Sequence, residues 1–450
     1  MSFVNCGRFA RFHPLVGSLF ASLILLQSSS SAKAQTVANC VVDWNSVHQR
    51  IDGFGGSSAW ITNWTAAQAD MFFSTNTGIG LSLLRNHIVY ADSTSSTAIP
   101  STVETNIMQM AQARGALVWS VPWTPPPAFK TSGVAEGGDY LGYGNSITNL
   151  NYASQLANYV HSMAHDYGIN IYAISIQNEP DSNHPGPRGY ESCIWTGMQI
   201  HDFVTNLYTA LKAKGAGSTK IIIPEGGDWS GHPRLYKPAL DDPNSAADIS
   251  IIANHDYVAN NQVGDMTIPA ELPTSGKALW ETEVAQLHGG YNGNITNAMY
   301  WAWRIHLFMT AAQANAWHYW WLVPPSRNTN NTALTDRYGN PAKRMYVVGQ
   351  WSRFVRPGYY RIDASGGKAF ISAYHDTNSG NFAIVAVNTR STALSHTFTL
   401  ANFPAVDSVT PWITSSTMSL SNQAPIRVSD SSFTYTLPAL SVVTFVGRAN

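Results

Sequence analysis

The sequence predicts a (β/α)8 barrel of the TIM type with a side β-sandwich. Three observations predict it. Between about Ile51 and Trp351, eight short apolar runs alternate with stretches of helical period. The runs are near-continuously apolar rather than alternating, as befits parallel strands covered by helices on one side and a packed interior on the other. After about Ser352 the helical period ends, and two-residue alternation broken by Asn, Ser, Gly and Pro takes over.

Taken in order, residues 1–34 read as a signal peptide. Arg8, Arg11 and His13 precede the apolar "PLVGSLFASLILL", and "SSSSAKA" offers small residues for cleavage after Ala34. The apolar run is short for a membrane span, and export to the extracellular space or periplasm is expected. Residues 35–50, "NCVVDWNSVHQR" among them, read as strand that joins the C-terminal sheet. Residues 51–351 form the barrel. Its strand runs are "IDGFGGSSA", "LSLLRNHI", "ALVWSVP", "YAISIQN", "KIIIPE", "IIANHDY", "ALWETEV" and "AWHYWWLV". Helical period fills "TNIMQMAQAR", "YASQLANYVHSMAHDYG", "MQIHDFVTNLYTALKAKG" and "NITNAMYWAWRIHLFMTAAQA". A doubly wound open sheet is the rival, but "GFGG" after the first run is too short and too aromatic for a phosphate-binding loop. Residues 352–450 form the sandwich, with strands in "YYRIDAS", "KAFISAYHD", "NFAIVAVNT", "HTFTLANF", "SVTPWITSS" and "FTYTLPALSVVTFVG".

Composition narrows the partners. Charged residues make up 12% of the chain and the formal net charge is −1. No long basic or acidic run occurs, so nucleic acid and anionic membranes are poor partners. The 15 Trp and 20 Tyr supply flat rings, most of them core and some of them platforms for sugars. Cleavage after Ala34 leaves Cys40 and Cys193, either bridged or as two buried thiols.

In a barrel of this type the C-terminal strand ends face the active site. Those ends carry Arg85, Asn86 and His87; Gln177, Asn178 and Glu179; Glu225 and Asp228; His255, Asp256 and Tyr257; and Glu281 and Glu283. Depth separates the last pair: Glu283 lies nearer the mouth, whereas Glu281 is deeper and structural. The runs ending in Glu179 and Glu283 are the fourth and seventh, which lie across the barrel from one another. Two carboxylates so placed flank a bond held between them, as glycoside hydrolysis requires. One acid then protonates the leaving oxygen, and the other carboxylate attacks the anomeric carbon or activates water. Asn178 hydrogen-bonds a sugar hydroxyl. Arg85 and Tyr257 hold the nucleophile ionised and oriented. Glu179 must stay protonated, which needs an apolar wall or a nearby negative charge, and Trp123 and Trp320 are candidates for both the wall and a sugar platform. A lone strand-end Glu more often forms a salt bridge, but two on opposite strands, one between Asn and Pro, outweigh that reading. A metal site at His255 and Asp256 has no familiar ligand spacing, and neither metal nor cofactor is expected.

The segments "QNEPD", "LWETEV", "QRIDGFGGSSAW" and "GNPAKRMYVVGQWSRFVRPGYYRI" resemble glycoside hydrolase family 30, from about His48 to the C-terminus. The resemblance implies a retaining hydrolase with Glu179 as acid/base and Glu283 as nucleophile, and an N-terminal strand in the sandwich. "VPWTPPPAFK" and the junction segment resemble the endo-xylanase branch. β-1,6-galactanase and β-1,6-glucanase are the alternatives within the family, and a non-catalytic glycan-binding protein is the alternative from another class. Glucuronoxylan-specific members place an Arg directly after the eighth strand. Here Pro324 and Pro325 stand there, and Arg327 follows slightly later. The expected substrate is therefore xylan, glucuronate-bearing if Arg327 makes that contact and plain or arabinose-bearing otherwise. The enzyme is expected to act as a monomer.

Overall fold

In a computed structural model, the structure describes residues 37–62, 64–90, 101–140, 142, 145–186, 189–229, 233–257, 271–272, 274–325 and 330–450, all within one compact unit, Val37–Asn450. The expected signal peptide and Arg327 lie outside the described residues.

Eight parallel strands close into a barrel. After the N-terminal strand β1 (Ala38–Arg50) they are β2 (Gly53–Ser57), β3 (Leu83–Ile88), β4 (Leu117–Pro122), β5 (Ile171–Ser175), β6 (Lys220–Gly226), β7 (Ile249–Asn254), β8 (Ala278–Glu281) and β9 (Ala316–Trp321). Each overlaps one of the eight apolar runs, with β5, β6 and β7 reaching one or two residues beyond theirs. Their residues are almost all buried, because one face meets the barrel interior and the other the helices. The helices are α1 (Ala66–Phe73), α2 (Thr102–Gln112), α3 (Ser146–Tyr167), α4 (Gly197–Ala213), α5 (Pro233–Asp241), α6 (Pro243–Asp248), α7 (Ile295–Thr310) and α8 (Lys343–Ser352). Four of them match the quoted helical segments. The short α1, α5 and α6 and the junction helix α8 were not expected as helices. A capping box fixes the start of α4: Thr196 Oγ1 accepts from Gln199 N at 3.2 Å, and Gln199 Oε1 accepts from Thr196 N at 2.7 Å.

Aromatic rings fill the barrel interior. Trp119 Nε1 donates to His318 Nε2 at 3.1 Å, and His318 Nδ1 donates to the Glu281 carbonyl at 2.7 Å. Burial pushes the His318 imidazole down to about 3, so it is neutral in this tautomer. This crowding explains "GFGG". A Cβ on Gly55 would lie 2.4 Å from the His318 ring and 2.8 Å from the Leu83 carbonyl. The glycines let β2 close the barrel past a large ring.

The remaining strands are β10 (Tyr360–Gly366), β11 (Phe370–His375), β12 (Asn381–Asn388), β13 (Leu394–Ala401), β14 (Ser408–Thr414), β15 (Ser421–Asn422), β16 (Ile426–Arg427), β17 (Ser432–Leu437) and β18 (Ser441–Arg448). With β1 they form one ten-stranded sheet, ordered β15-β14-β18-β12-β11-β10-β1-β13-β17, with β16 on β14. The sheet curls back on itself. β17 and β18 stand far apart in strand order, yet Phe433 and Phe445 have ring centroids 5.0 Å apart. One curled sheet thus does the work of the two sheets of a sandwich. β1 sits inside it, antiparallel to β10 and parallel to β13. Cys40 and Cys193 are separate buried thiols.

Helix α8 fastens the sheet to the barrel. Gln350 Nε2 donates to Thr414 Oγ1 at 2.8 Å, and Thr444 Oγ1 donates to the Gln350 carbonyl at 2.8 Å. The barrel's apolar core continues into Ala383, Val385, Val387 and Val442 of the sheet. The alternate residues Phe382, Ile384, Ala386 and Val443 face the sheet's own core. Both faces of "NFAIVAVN" are therefore apolar because both are covered.

Candidate active site

The "QNEP" segment leaves β5 between two neighbours that hold its backbone. Asn178 N donates to the Pro122 carbonyl at the end of β4, 2.9 Å away, and Glu179 N donates to the Glu225 carbonyl at the end of β6, 3.0 Å away. Gln177 Nε2 donates to the Trp123 carbonyl at 2.6 Å. Glu179 and Glu225 adopt φ of 44° and 58°, and Trp60 adopts 60°. These left-handed conformations are costly for residues with side chains, by about 1–3 kcal/mol each. All three residues stand at the barrel mouth, and the bonds from Asn178 N and Glu179 N to the neighbouring strand ends hold the backbone of Glu179 and Glu225.

Arg85, wholly buried on β3, organises the floor. It donates through Nη1 to Glu283 Oε2 and through Nη2 to Asn178 Oδ1, the latter at 2.6 Å. Its Nη2 is 3.5 Å from Glu225 Oε1. The guanidinium lies over Trp123 at 4.6 Å and over Trp320 at 5.6 Å. Tyr257 completes the hold on Glu283, donating to Oε1 at 2.9 Å.

His255 bridges the acids. Its Nδ1 is 3.1 Å from Glu179 Oε1, and its Nε2 is 3.8 Å from both Glu225 Oε1 and Glu283 Oε2. Burial works against a charge there, but Glu283, Glu179 and Glu225 outweigh it and lift the imidazole to about 10. Each of Glu179, His255 and Glu283 offers an atom within 4.8 Å of the others. The three also satisfy the distance condition for a cation site, but Arg85, Tyr257 and Tyr190 already occupy the carboxylates. Asp256, the other half of the metal alternative, turns instead to Arg304, whose Nε donates to it at 3.1 Å.

The expected source of acidity at Glu179 is not an apolar wall. Burial does press its carboxyl upward, but His184 nearby and hydrogen bonds from His255 and Tyr190 outweigh burial and hold it below the usual carboxylate range. Burial, with Glu179 adding to it, pushes Glu283 upward against His255 and Arg85. Trp123 and Trp320 back Arg85 rather than Glu179, and they are only 2% and 6% exposed. Trp60 and Trp321 show more of their rings and close the same wall, Trp60 lying 5.2 Å from Trp123 and Trp321 lying 4.8 Å from Trp320. Glu281 lies inside the barrel, accepting from His318 N at 2.8 Å, with burial raising its carboxyl well above the ordinary range.

The cleft has a volume of about 600 Å³. Asn178, Glu179, Tyr257, Glu283, Trp123 and Trp320 line it, as do Asp228 and Pro325. Sequence reasoning missed Trp60, His184, Tyr190 and Trp321 there. Trp321 was within reach of it, as the next residue in a quoted strand; the other three come from loops with no period to read.

Comparison with known proteins gives the family of this barrel. Residues 97–273 match the model of the glycosyl hydrolase family 30 TIM-barrel domain. The chain is 31% identical over 440 residues to the glucuronoxylanase XynC of Bacillus subtilis (strain 168), covering 95% of this chain and 96% of that one. The chain belongs to glycoside hydrolase family 30. Among solved structures it is similar to the family 30 subfamily 8 xylanase Xyn30A of Clostridium acetobutylicum, with a TM-score of 0.78 and 29% identity over 91% of this chain and all of that one. It is also similar to a family 30 endoxylanase of Clostridium papyrosolvens C71, with a TM-score of 0.76, 29% identity and the same coverage.

Proposed function

We propose that this family 30 glycoside hydrolase is an exported, retaining endo-xylanase, with Glu179 as acid/base and Glu283 as nucleophile. One observation carries the mechanism: Glu179 and Glu283 approach within 4.8 Å across the cleft. Retention calls for carboxyl groups about 5–5.5 Å apart, whereas inversion needs about 6.5–9.5 Å to admit a water. The xylan substrate rests on the relatives of 29–31% identity, each of them a xylanase by name. None of these three is named for a β-1,6-linked glucan or galactan.

Glu283 attacks the anomeric carbon while Glu179 gives its proton to the leaving oxygen. Water then releases the sugar, with Glu179 taking the proton back. Asn178 keeps its Oδ1 on Arg85 and offers its amide hydrogens to the sugar. Three carboxylates face Arg85 and His255 and leave one negative charge in excess, so the ionisation of Glu179 and that of Glu283 are coupled. Burial and Glu179 press Glu283 upward, while His255, Arg85 and Tyr257 favour its anion. A seated sugar favours the proton on Glu179, because it strips water from that carboxyl and builds positive charge opposite Glu283.

The test is product analysis on glucuronoxylan and linear xylan, with the anomer followed during hydrolysis. Fresh β-anomer and internal cleavage are expected. In Glu283→Gln, activity should fall by at least about 10³-fold with the fold intact. Initial α-anomer, or near-native activity in that variant, refutes the mechanism. Arg327→Ala, assayed on both polymers, decides whether glucuronate is recognised there.

A further inference from the structure

The loop between β5 and α4 carries two side chains that the double displacement does not by itself require. Tyr190 Oη is 2.9 Å from Glu179 Oε2 and 2.6 Å from His184 Nε2. The two rings stack with centroids 4.0 Å apart at 25°. His184 Nε2 also lies 3.7 Å from Glu179 Oε2. A tyrosine hydroxyl has one proton. With Glu179 ionised that proton points to Oε2, so His184 must donate its Nε2–H to the tyrosine oxygen. Both hydrogen bonds then run toward the carboxylate, and each strengthens the other.

The loop is anchored for this task. His87 Nε2 and Glu191 Oε2 are 2.8 Å apart, next to Tyr190. Ser182 N donates to the Glu179 carbonyl at 3.0 Å, and Trp195 N donates to the Pro180 carbonyl at 3.0 Å. Tyr190 remains 36% exposed, at the cleft rim beside Glu179.

We propose that Tyr190 and His184 are positioning residues that serve the second half-reaction, holding Glu179 as the oriented anion that deprotonates the attacking water. The inference rests on the acid/base reading of Glu179. The first step needs Glu179 protonated, and donors to an anion oppose that state. The second step needs the anion, and the same donors favour it. Glu179 also faces His255, Glu225, Arg85, Glu283 and Tyr257 from the barrel strands, and Asp181 and Asp228 from the rim. None of these is altered by a change at Tyr190 or His184.

The experiment uses dinitrophenyl β-xylobioside, whose leaving group departs without acid help, so that release of the glycosyl-enzyme limits turnover. In Tyr190→Phe, kcat on this substrate should fall about tenfold, with the initial burst of dinitrophenol and kcat/KM retained. The acid limb of kcat should move about 1 pH unit higher, because the base has become harder to ionise. On xylan, the basic limb of kcat/KM should also move higher, because that limb reports the protonated acid. His184→Gln keeps a donor toward Tyr190 and should show a smaller effect than His184→Leu. Circular dichroism and melting temperature establish that each variant is folded. Unchanged limbs and unchanged kcat in folded Tyr190→Phe overturn the proposal. Glu179→Gln, assayed alongside with azide as replacement nucleophile, separates the two readings. If it keeps full activity on xylan, the acid/base assignment has failed. If it is inactive on xylan while Tyr190→Phe behaves as wild type, only the positioning role has failed.

Discussion

At the scale of single residues, His255 has the most to lose to solvent pH. It is wholly buried among three carboxylates, and its imidazole holds a proton up to about 10 instead of 6.5. A group whose folded pKa is raised contributes stability that is complete below the unfolded value and lost as pH climbs through the folded one. The expected loss therefore spans pH 6.5 to about 10, and is on the order of a few kcal/mol. Chemical denaturation at intervals across that window, for wild type and His255→Gln, checks it. The decline should be visibly shallower in the variant; parallel curves would mean that His255 carries no stabilising charge. His255 was visible as a strand-end residue, but its role was not. Sequence order says that it reaches the mouth, not that it lies between Glu179 and Glu283. Tyr190 and His184 were less legible still, since loop geometry rather than strand period brings them to Glu179.

At the scale of elements, α8 shows how close packing selects a residue that a pattern passes over. A Cβ on Gly349 would lie 2.5 Å from Leu420 Cδ1 and 3.0 Å from Ile79 Cγ2. The helix thus tolerates a poor helix former in order to approach both barrel and sheet. Gly349→Ala gains helix propensity and loses this fit. The overpacking should win, lowering stability by about 1–3 kcal/mol, with cleft chemistry unchanged because Gly349 is remote from the carboxylates. A thermal melt alongside a xylan assay measures both; a melting temperature at or above wild type would show that Leu420 and Ile79 give way freely. The eight barrel strands were legible because burial on both faces leaves a compact apolar run. The helix α8 was not, because "KRMYVVGQWS" mixes charge, β-branched residues and glycine and borrows its stability from partners.

At the scale of the whole molecule, the sheet and barrel form one compact unit. β1 precedes the barrel in sequence yet lies between β10 and β13, and the barrel core runs into β12 and β18. A chain ending after Ser352 would strand β1 without either neighbour and expose the apolar faces of α7 and α8. Such a fragment should be insoluble or lack a cooperative melt, and co-expression with residues 353–450 should be needed to recover folded material. A soluble, cooperatively melting barrel fragment would show that the sheet is an accessory.

The order of apolar runs, the acids at their ends and the shift to alternation are local patterns, set by burial on one face or two and readable without coordinates. They determined the barrel, the added sheet and Glu179 and Glu283 as the acids to watch. Only the tertiary structure decided that the sheet is single and curled, that Arg85 and His255 join the acids into one charged cluster, and that Tyr190 stands beside Glu179. The reason is that these depend on where strands and loops distant in sequence meet, and on charges whose strength depends on separation and burial rather than on order along the chain.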